Sequence, residues 1–183
     1  DRSSEVIKGL IRTYSQASLI SLKRNYGKSN ALMVGFSKAQ GERVITMDAD
    51  LQDRPENIPA LLEKSEYDLV SGLRESRKDS VLKKLLSKIF NRLINFIFNV
   101  DCKDMNCGFK VYKKELYKSL NLYGDLHRMT LVLAEMEGCS WIEVPIEHDP
   151  RRHGVSKYPM FRARGMWDIF SVRIMERIRS CVP

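Results

Sequence analysis

The feature that most restricts the fold is the run Val44-Ile45-Thr46-Met47, which passes directly into Asp48-Ala49-Asp50-Leu51-Gln52-Asp53. The run lies between Gly41 and Pro55, and its length suits a buried strand. Residues two apart on an extended chain point to the same side. Asp48, Asp50 and Gln52 are therefore expected to bring three oxygen-bearing side chains into one small volume at the strand's end. Two like charges that close oppose one another unless a cation lies between them. All-oxygen ligation suits Mg²⁺ or Mn²⁺, which keep waters and share their remaining positions with substrate phosphates.

An Asp-X-Asp pair alone is also an ordinary acidic turn. Two sharper readings are weakened by the sequence. A calcium loop of the EF-hand kind needs Gly at its sixth place and Glu at its twelfth, where this chain has Asp53 and Pro59. An aspartyl-phosphatase of the haloacid dehalogenase kind expects a hydroxyl residue soon after the second Asp, where Leu51-Gln52 stands, and a downstream acidic cluster that is not found.

Around this stretch, helical and extended patterns alternate. Val6, Ile7, Leu10 and Ile11 predict a helix from Ser3 to about Tyr14, and Ala17–Leu22 a short strand. Ser29 is expected to open a helix closed by Gly41, and Pro55 another reaching Lys64. Tyr67–Gly72, Gly108–Tyr112 and Trp141–His148 read as strands, and His127–Gly138 as a helix. Alternation at intervals of about 25 residues is the pattern of an α/β sheet with crossover helices. Ligands of such sheets bind beyond the carboxyl ends of the strands, where Asp48 to Gln52 would sit.

The chain has 183 residues, of which 43% are hydrophobic and 30% charged, as expected of one globular domain. No stretch of about eighteen apolar residues appears, and the polar start Asp1-Arg2-Ser3-Ser4-Glu5 is no signal peptide. A formal charge of +8, from 31 basic and 23 acidic residues, favours anionic partners: nucleic acid, lipid headgroups or phosphorylated small molecules. Cys102, Cys107, Cys139 and Cys181 show no paired Cys-X-X-Cys spacing, which argues against zinc and for a reducing, cytosolic setting.

Two stretches combine apolar stripes with basic ones. From Val81 to Val100, Leu82, Leu85, Leu86, Ile89, Leu93, Ile94, Phe96 and Ile97 line one side and Lys83, Lys84, Lys88 and Arg92 another. After Pro159, Met160, Ala163, Trp167, Phe170, Ile174 and Ile178 are interleaved with arginines. Both suit either a core helix or a helix lying in an anionic membrane interface. Between them, Pro150 to Pro159 is a basic loop whose Arg151, Ser156 and Lys157, with Gly154, suit a diphosphate, though taken alone it equally reads as an ordinary solvated loop.

Together these stretches resemble the family 2 glycosyltransferases, in particular the polyprenyl-phosphate branch with dolichol-phosphate mannosyltransferase and bacterial undecaprenyl-phosphate glycosyltransferases. The resemblance runs in order through Arg24-Asn25-Tyr26-Gly27-Lys28, Asp48-Ala49-Asp50-Leu51-Gln52 and Gly72-Leu73-Arg74. It continues through Gly108-Phe109-Lys110, Gly124-Asp125-Leu126-His127-Arg128, Glu143-Val144-Pro145 and Arg151-Arg152-His153-Gly154-Val155-Ser156-Lys157-Tyr158. The Asp-Leu-His-Arg stretch and the Arg-X-X-Gly-X-Ser-Lys loop are its most specific parts.

The resemblance implies a GT-A fold: a Rossmann-like α/β sheet flanked by helices, with amphipathic interface helices. It divides the chain into a catalytic domain over residues 1–158 and a basic juxtamembrane helix over 159–183. Against the family pattern the chain begins at the tail of the first acidic loop, so the first strand is expected to be missing, and C-terminal transmembrane helices are expected in the intact protein. By similarity, Asp48, Ala49, Asp50, Gln52, Arg151, Ser156 and Lys157 bind a nucleotide-sugar. Asp50 and Gln52 hold Mg²⁺ or Mn²⁺, and Arg74, His127 and Arg128 meet the acceptor. Asp50, Arg74 and Arg151 would carry catalysis. The implied reaction is inverting transfer from a UDP- or GDP-sugar to undecaprenyl or dolichyl phosphate on the cytoplasmic face of a membrane, without nucleic acid; homo-oligomerisation is left open. The alternatives are a soluble or polysaccharide acceptor, and a non-catalytic basic module binding anionic membrane or nucleic acid.

Overall fold

Strands β1 (Arg43–Thr46), β2 (Leu69–Arg74), β3 (Lys110–Lys113) and β4 (Trp141–Ile146) form one sheet in the order β1-β3-β2-β4. The structure, a computed structural model, describes residues 2–74, 81–150 and 169–174, with the side chains of 81–86 outside that description. β3 is antiparallel to both neighbours, with Val44 opposite Tyr112 and Val70 opposite Val111. β2 and β4 are parallel, with Ser71 opposite Glu143. β1, β2 and β4 thus run the same way, and their carboxyl ends share one end of the sheet with the start of β3.

Helices α1 (Ser3–Thr13), α2 (Lys28–Lys38), α3 (Ile58–Leu62), α4 (Val81–Phe98), α5 (Lys114–Ser119) and α6 (Thr130–Met136) complete the described elements, with helical turns over 169–174. Short 3-10 turns occupy Pro55–Asn57 and Leu126–Arg128. Successive strand residues face opposite sides, and each side has its own core. Leu69 and Tyr112 face a large cluster built from Phe36 of α2, Ile94 and Phe98 of α4, Leu116 and Tyr117 of α5, Leu131 to Ala134 of α6, and Ile169 and Val172. Phe36 meets Tyr112 edge-on, with ring centres 5.2 Å apart, a favoured aromatic geometry. Val70, Val111 and Ile146 face a thinner cluster with Cys107 and Phe109, closed by Leu61 of α3. Layers on both faces explain why Leu69 to Gly72 are buried in succession while the flanking β1 is half-buried throughout.

The α/β class matches the sequence reading, and four particulars differ. The sheet is mixed, because β3 returns antiparallel between β1 and β2. The strand expected over Ala17–Leu22 is absent: among the described residues the segment has no ladder partner, and Ala17, Ser18, Ile20 and Ser21 are exposed. A β-leaning sequence without a neighbour to take its N–H and C=O groups gains nothing from extension. The helix expected from Pro55 to Lys64 is a 3-10 turn followed by only Ile58–Leu62. α5 was not anticipated, since six residues are too few for periodicity to register. α1 matches its expected span, with none of its residues buried.

Because α3 is five residues long and Leu61 is wholly buried against the thinner core, Leu61→Ala is expected to lower stability by about 2–5 kcal/mol. Its exposed neighbour Leu62 should tolerate Ala within about 0.5 kcal/mol. Urea midpoints of the two variants check the contrast.

Candidate active site

Past Thr46 the chain leaves the sheet and turns. The Thr46 hydroxyl donates to the Gly108 carbonyl at 2.7 Å, tying the end of β1 to the approach to β3. Asp48 forms an ion pair with Lys28 from the first turn of α2. Its backbone N–H donates to Oδ2 of buried Asp53 at 2.9 Å, which closes the acidic loop on itself. Leu51 sits at φ 62°, a left-handed conformation that few non-glycine residues adopt. The Gln52 N–H donates to Asp50 Oδ1 at 3.3 Å and its side-chain nitrogen to the Asp149 carbonyl at 3.2 Å. Burial pushes the Asp53 carboxyl up, reinforced by the Asp48 charge and opposed by the Asp48 N–H, His148 and Arg74.

The strand alternation from which the gathering of Asp48, Asp50 and Gln52 was read does not extend to them. The strand ends at Thr46 and the loop turns at Leu51, so strand alternation does not govern the three, and Asp48 is spent on Lys28. No group of three His, Cys, Asp or Glu gathers for a metal among the described residues. The Gln52 amide nitrogen is committed to the Asp149 carbonyl, and Oε1 is the end of the amide that can bind a cation. Asp50 and that amide oxygen are hard donors, which suit Mg²⁺ or Mn²⁺ sharing its coordination with water and phosphate.

Gly108 determines how closely these groups approach β3. A Cβ there would lie 3.0 Å from both Asp48 Oδ2 and Lys28 Nζ. A bare backbone at this position lets the ion pair rest directly on the start of the strand.

At the carboxyl end of β2, Arg74 is gripped by Asp104: Nε donates to Oδ2 at 2.6 Å and Nη2 to Oδ1 at 2.8 Å. The two side chains are 12% and 5% exposed, so this is a buried bidentate pair, the geometry guanidinium favours. Burial works to lower the Arg74 pKa, and the bonds and charge of Asp104 outweigh it and hold it raised. The loop carrying Asp104 is fixed in turn by Glu143 of β4, which accepts the backbone N–H groups of Lys103 and Asp104, each at 2.7 Å. Burial raises the Glu143 carboxyl despite those bonds.

On the opposite flank, the turn Leu126–Arg128 packs against α2. Buried Ser29 accepts the His127 backbone N–H at 3.1 Å, and its Oγ lies 3.0 Å from Nδ1 of the His127 ring. Burial, with the charges of Arg128 and Lys28, pulls His127 down to about 4, so the ring is neutral near neutral pH. Arg128 lies 3.6 Å from Asp125. Beneath, wholly buried Lys110 donates to the Thr130 hydroxyl at 2.7 Å and the Met105 carbonyl at 3.4 Å, and burial pulls it down to about 8.

Of the site residues read from the sequence, Asp48, Ala49, Asp50, Gln52, Arg74, His127 and Arg128 are described. The charges of Lys28 and Arg74 link His127, Asp48 and Asp53 in one neighbourhood. Arg151, Ser156 and Lys157 lie outside the described residues. The helix expected to start at His127 starts at Thr130, leaving His127 and Arg128 in the preceding turn. Sequence reading gave no site role to Ser29, Asp104, Glu143 or Lys110. Lys28, Lys110 and Glu143 lay within stretches already singled out and Ser29 was read only as the start of a helix, while Asp104 carried no signal beyond its residue type.

A family model described as glycosyl transferase family 2 matches residues 1–120. Undecaprenyl-phosphate 4-deoxy-4-formamido-L-arabinose transferase of Edwardsiella ictaluri (strain 93-146) is 34% identical over 165 residues, covering 88% of this chain and 51% of that protein. Dodecaprenyl-phosphate galacturonate synthase of Rhizobium johnstonii is 36% identical over 169 residues, covering 88% of this chain and 50% of that protein. The chain spans about half the length of these curated relatives. Among solved structures, glucosyl-3-phosphoglycerate synthase from Mycobacterium tuberculosis, in complex with Mn²⁺, UDP-glucose and glycerol 3-phosphate, shares the fold with a TM-score of 0.56 at 14% identity. That match covers 97% of this chain and 61% of the synthase. With the family model matching residues 1–120 and the two curated relatives 34% and 36% identical, the chain belongs to glycosyl transferase family 2.

Proposed function

We propose that the protein containing this chain transfers a sugar from a nucleotide-sugar to a polyprenyl phosphate at a membrane surface, with inversion at the anomeric carbon. The observation that carries this reading is the gathering of the Lys28–Asp48 pair, the Asp50–Gln52 loop and Arg74 at the carboxyl end of the sheet, in a family 2 chain. Support for the acceptor comes from the two relatives at 34% and 36% identity, both named for transfer to or synthesis on polyprenyl phosphates. The Mn²⁺ and UDP-glucose of the M. tuberculosis synthase support the donor class and the cation.

In this reading Asp48 and Ala49 border the nucleotide, with Lys28 holding the Asp48 carboxylate in place. Asp50 and the Gln52 amide oxygen would hold a divalent cation, which when bound neutralises charge on the donor diphosphate. Arg151, Ser156 and Lys157 are assigned to the same diphosphate through the resemblance of their loop. Arg74, oriented by Asp104, offers its remaining N–H groups to the acceptor phosphate or the transferring sugar, and His127 and Arg128 lie toward the acceptor. A phosphate monoester is largely ionised near neutral pH, its second pKa being about 6. The nucleophile therefore needs no strong general base, and the demand on the protein is to align it behind the departing diphosphate.

A membrane surface is supported by α4, where Ile89, Leu93 and Phe96 are exposed at helical spacing, Phe96 by 87%, beside exposed Lys88 and Arg92. Phe170 and Ile174 are also exposed, next to Arg173. Apolar faces flanked by cations suit an anionic headgroup layer. No helix among the described residues is long and apolar enough to cross a membrane. Residues 1–158 are assigned to catalysis and 159–183 to a juxtamembrane segment, of which only 169–174 lie among the described residues.

Membranes containing the intact protein, supplied with polyprenyl phosphate and labelled UDP- or GDP-sugars, should move label into organic solvent only with Mg²⁺ or Mn²⁺. Asp50→Asn should lower that transfer by at least about 100-fold. Label that stays water-soluble with every donor would favour a soluble acceptor, and full activity in Asp50→Asn would remove the cation assignment. Gly108→Ala, which presses a methyl group on the Asp48–Lys28 pair, should weaken nucleoside-diphosphate binding about tenfold, equivalent to about 1.4 kcal/mol. Isothermal titration of the intact protein reads this directly.

A further inference from the structure

Ser29 lies in the first turn of α2, wholly buried, and both of its described side-chain contacts are to His127. Its oxygen accepts the His127 backbone N–H at 3.1 Å. A serine hydroxyl carries one proton, and a buried hydroxyl proton without an acceptor is costly. The acceptor within reach is Nδ1 of the same residue, 3.0 Å away. The opposite arrangement, with the proton on Nδ1, would have the Ser29 oxygen accept twice and leave its own proton without a described acceptor. The neutral ring therefore carries its proton on Nε2, and Nε2–H has no partner among the described residues.

This wiring is the reverse of that in a general-base histidine. There an acceptor holds Nδ1–H and leaves the Nε2 lone pair to take a proton. Here a donor occupies Nδ1, so Nε2 can only give a hydrogen bond. Arg128, Lys28 and Lys110 act on His127 as cations, with Asp125 opposing them. These cations favour an anion beside the ring, and Lys28 joins the group to the Asp48 loop through its ion pair with Asp48.

We infer that Ser29 is a positioning residue that fixes His127 as the neutral Nε2–H tautomer, so that His127 donates a hydrogen bond to a phosphate oxygen of the substrate rather than acting as a base. The phosphate is that of the polyprenyl acceptor, an assignment that rests on the function proposed above; the tautomer does not depend on it. The device suits a reaction whose nucleophile is already an anion, because a second base would be idle there while a fixed neutral donor aligns the nucleophile without holding it too tightly.

The test uses the intact protein with ¹⁵N-labelled histidine, free of substrates. The His127 ring signals, identified by their loss in His127→Gln, should report one tautomer, with Nε2 protonated and Nδ1 bare. Ser29→Ala should convert this into a mixture of both tautomers, and Ser29→Thr, which keeps the hydroxyl, should not. A protonated Nδ1 in the unsubstituted protein, or an unchanged ring in Ser29→Ala, overturns the inference. In the transfer assay, His127→Gln, whose amide nitrogen reaches the place of Nε2, should keep kcat/KM within about tenfold, and His127→Asn should lose about 100-fold. Ser29→Ala should cost about tenfold alone and little in the His127→Gln background. An equal cost in both backgrounds would mean that Ser29 acts through the fold rather than through His127, and would sink the proposal. If Ser29→Ala does not fold, the ring signals of the unsubstituted protein and the Gln–Asn contrast still decide. Absence of lipid-linked product removes the acceptor assignment alone, since the tautomer is read without substrate. A wrong tautomer with normal transfer removes the His127 role alone.

Discussion

The antiparallel return of β3 between β1 and β2 is the constraint on which the rest of the structure depends. Had β3 run parallel, its amino end would lie at the far end of the sheet. Running back, it delivers Gly108 to the carboxyl ends of β1 and β2, where the Thr46 hydroxyl fastens the Gly108 carbonyl and the Lys28–Asp48 pair rests on a backbone without a side chain. The same strand carries Tyr112 into one core and Val111 into the other. One strand of four residues thus joins both layers and roofs the acidic loop. Burial pushes the Tyr112 phenol up to about 12, with the nearby Thr130 and Thr46 hydroxyls opposing that rise, and buried Lys110 on the same strand donates to Thr130.

How far the sequence was legible follows from which signals are local. The apolar run ending at Asp48 and the helical period of Val6 to Ile11 are local, and they appear as β1 and α1. The direction of β3 is not local: Lys110–Lys113 reads the same in either orientation. Ala17–Leu22 shows the converse, since its composition leans to a strand and the pairing that would make it one is absent among the described residues. At the site, Asp48, Asp50 and Gln52 were visible as residue types, but the turn at Leu51 cancels the alternation from which their convergence was inferred. The second layer was least visible. Asp104 is thirty residues from Arg74 and Ser29 ninety-eight from His127, and pairings at that distance are made by topology.

That second layer has a consistent character. Arg74 is held by Asp104, whose loop is held by Glu143. Asp48 is held by Lys28 and, through its backbone, by Asp53. His127 is held by Ser29. Arg74, Asp48 and His127 thus each have a buried partner, Asp104, Asp53 and Ser29 respectively, that limits their direction. Removing a partner such as Asp104 would leave an uncompensated buried charge, which typically costs about 3–5 kcal/mol. Such partners are retained at that cost when geometry matters more than the strength of any one group.

Geometry is what the proposed chemistry requires. Where the nucleophile is a neutral hydroxyl, an enzyme must generate its reactivity, and a base of suitable pKa is the central residue. A phosphate monoester arrives ionised, so its reactivity is not in question; its approach is. Two anions, the acceptor phosphate and the donor diphosphate, must be brought together, and the opposition between them falls with cations and fixed N–H donors placed around both. Lys28, Arg74, Arg128 and Lys110 supply positive charge around the carboxyl end of the sheet, with Asp104 and Asp125 limiting how freely Arg74 and Arg128 can turn toward either anion. An unrestrained cation would bind the ground state as tightly as the transition state and accelerate nothing. A cation already paired gives a weaker but directed interaction, which favours the one arrangement in which the two phosphates are in line.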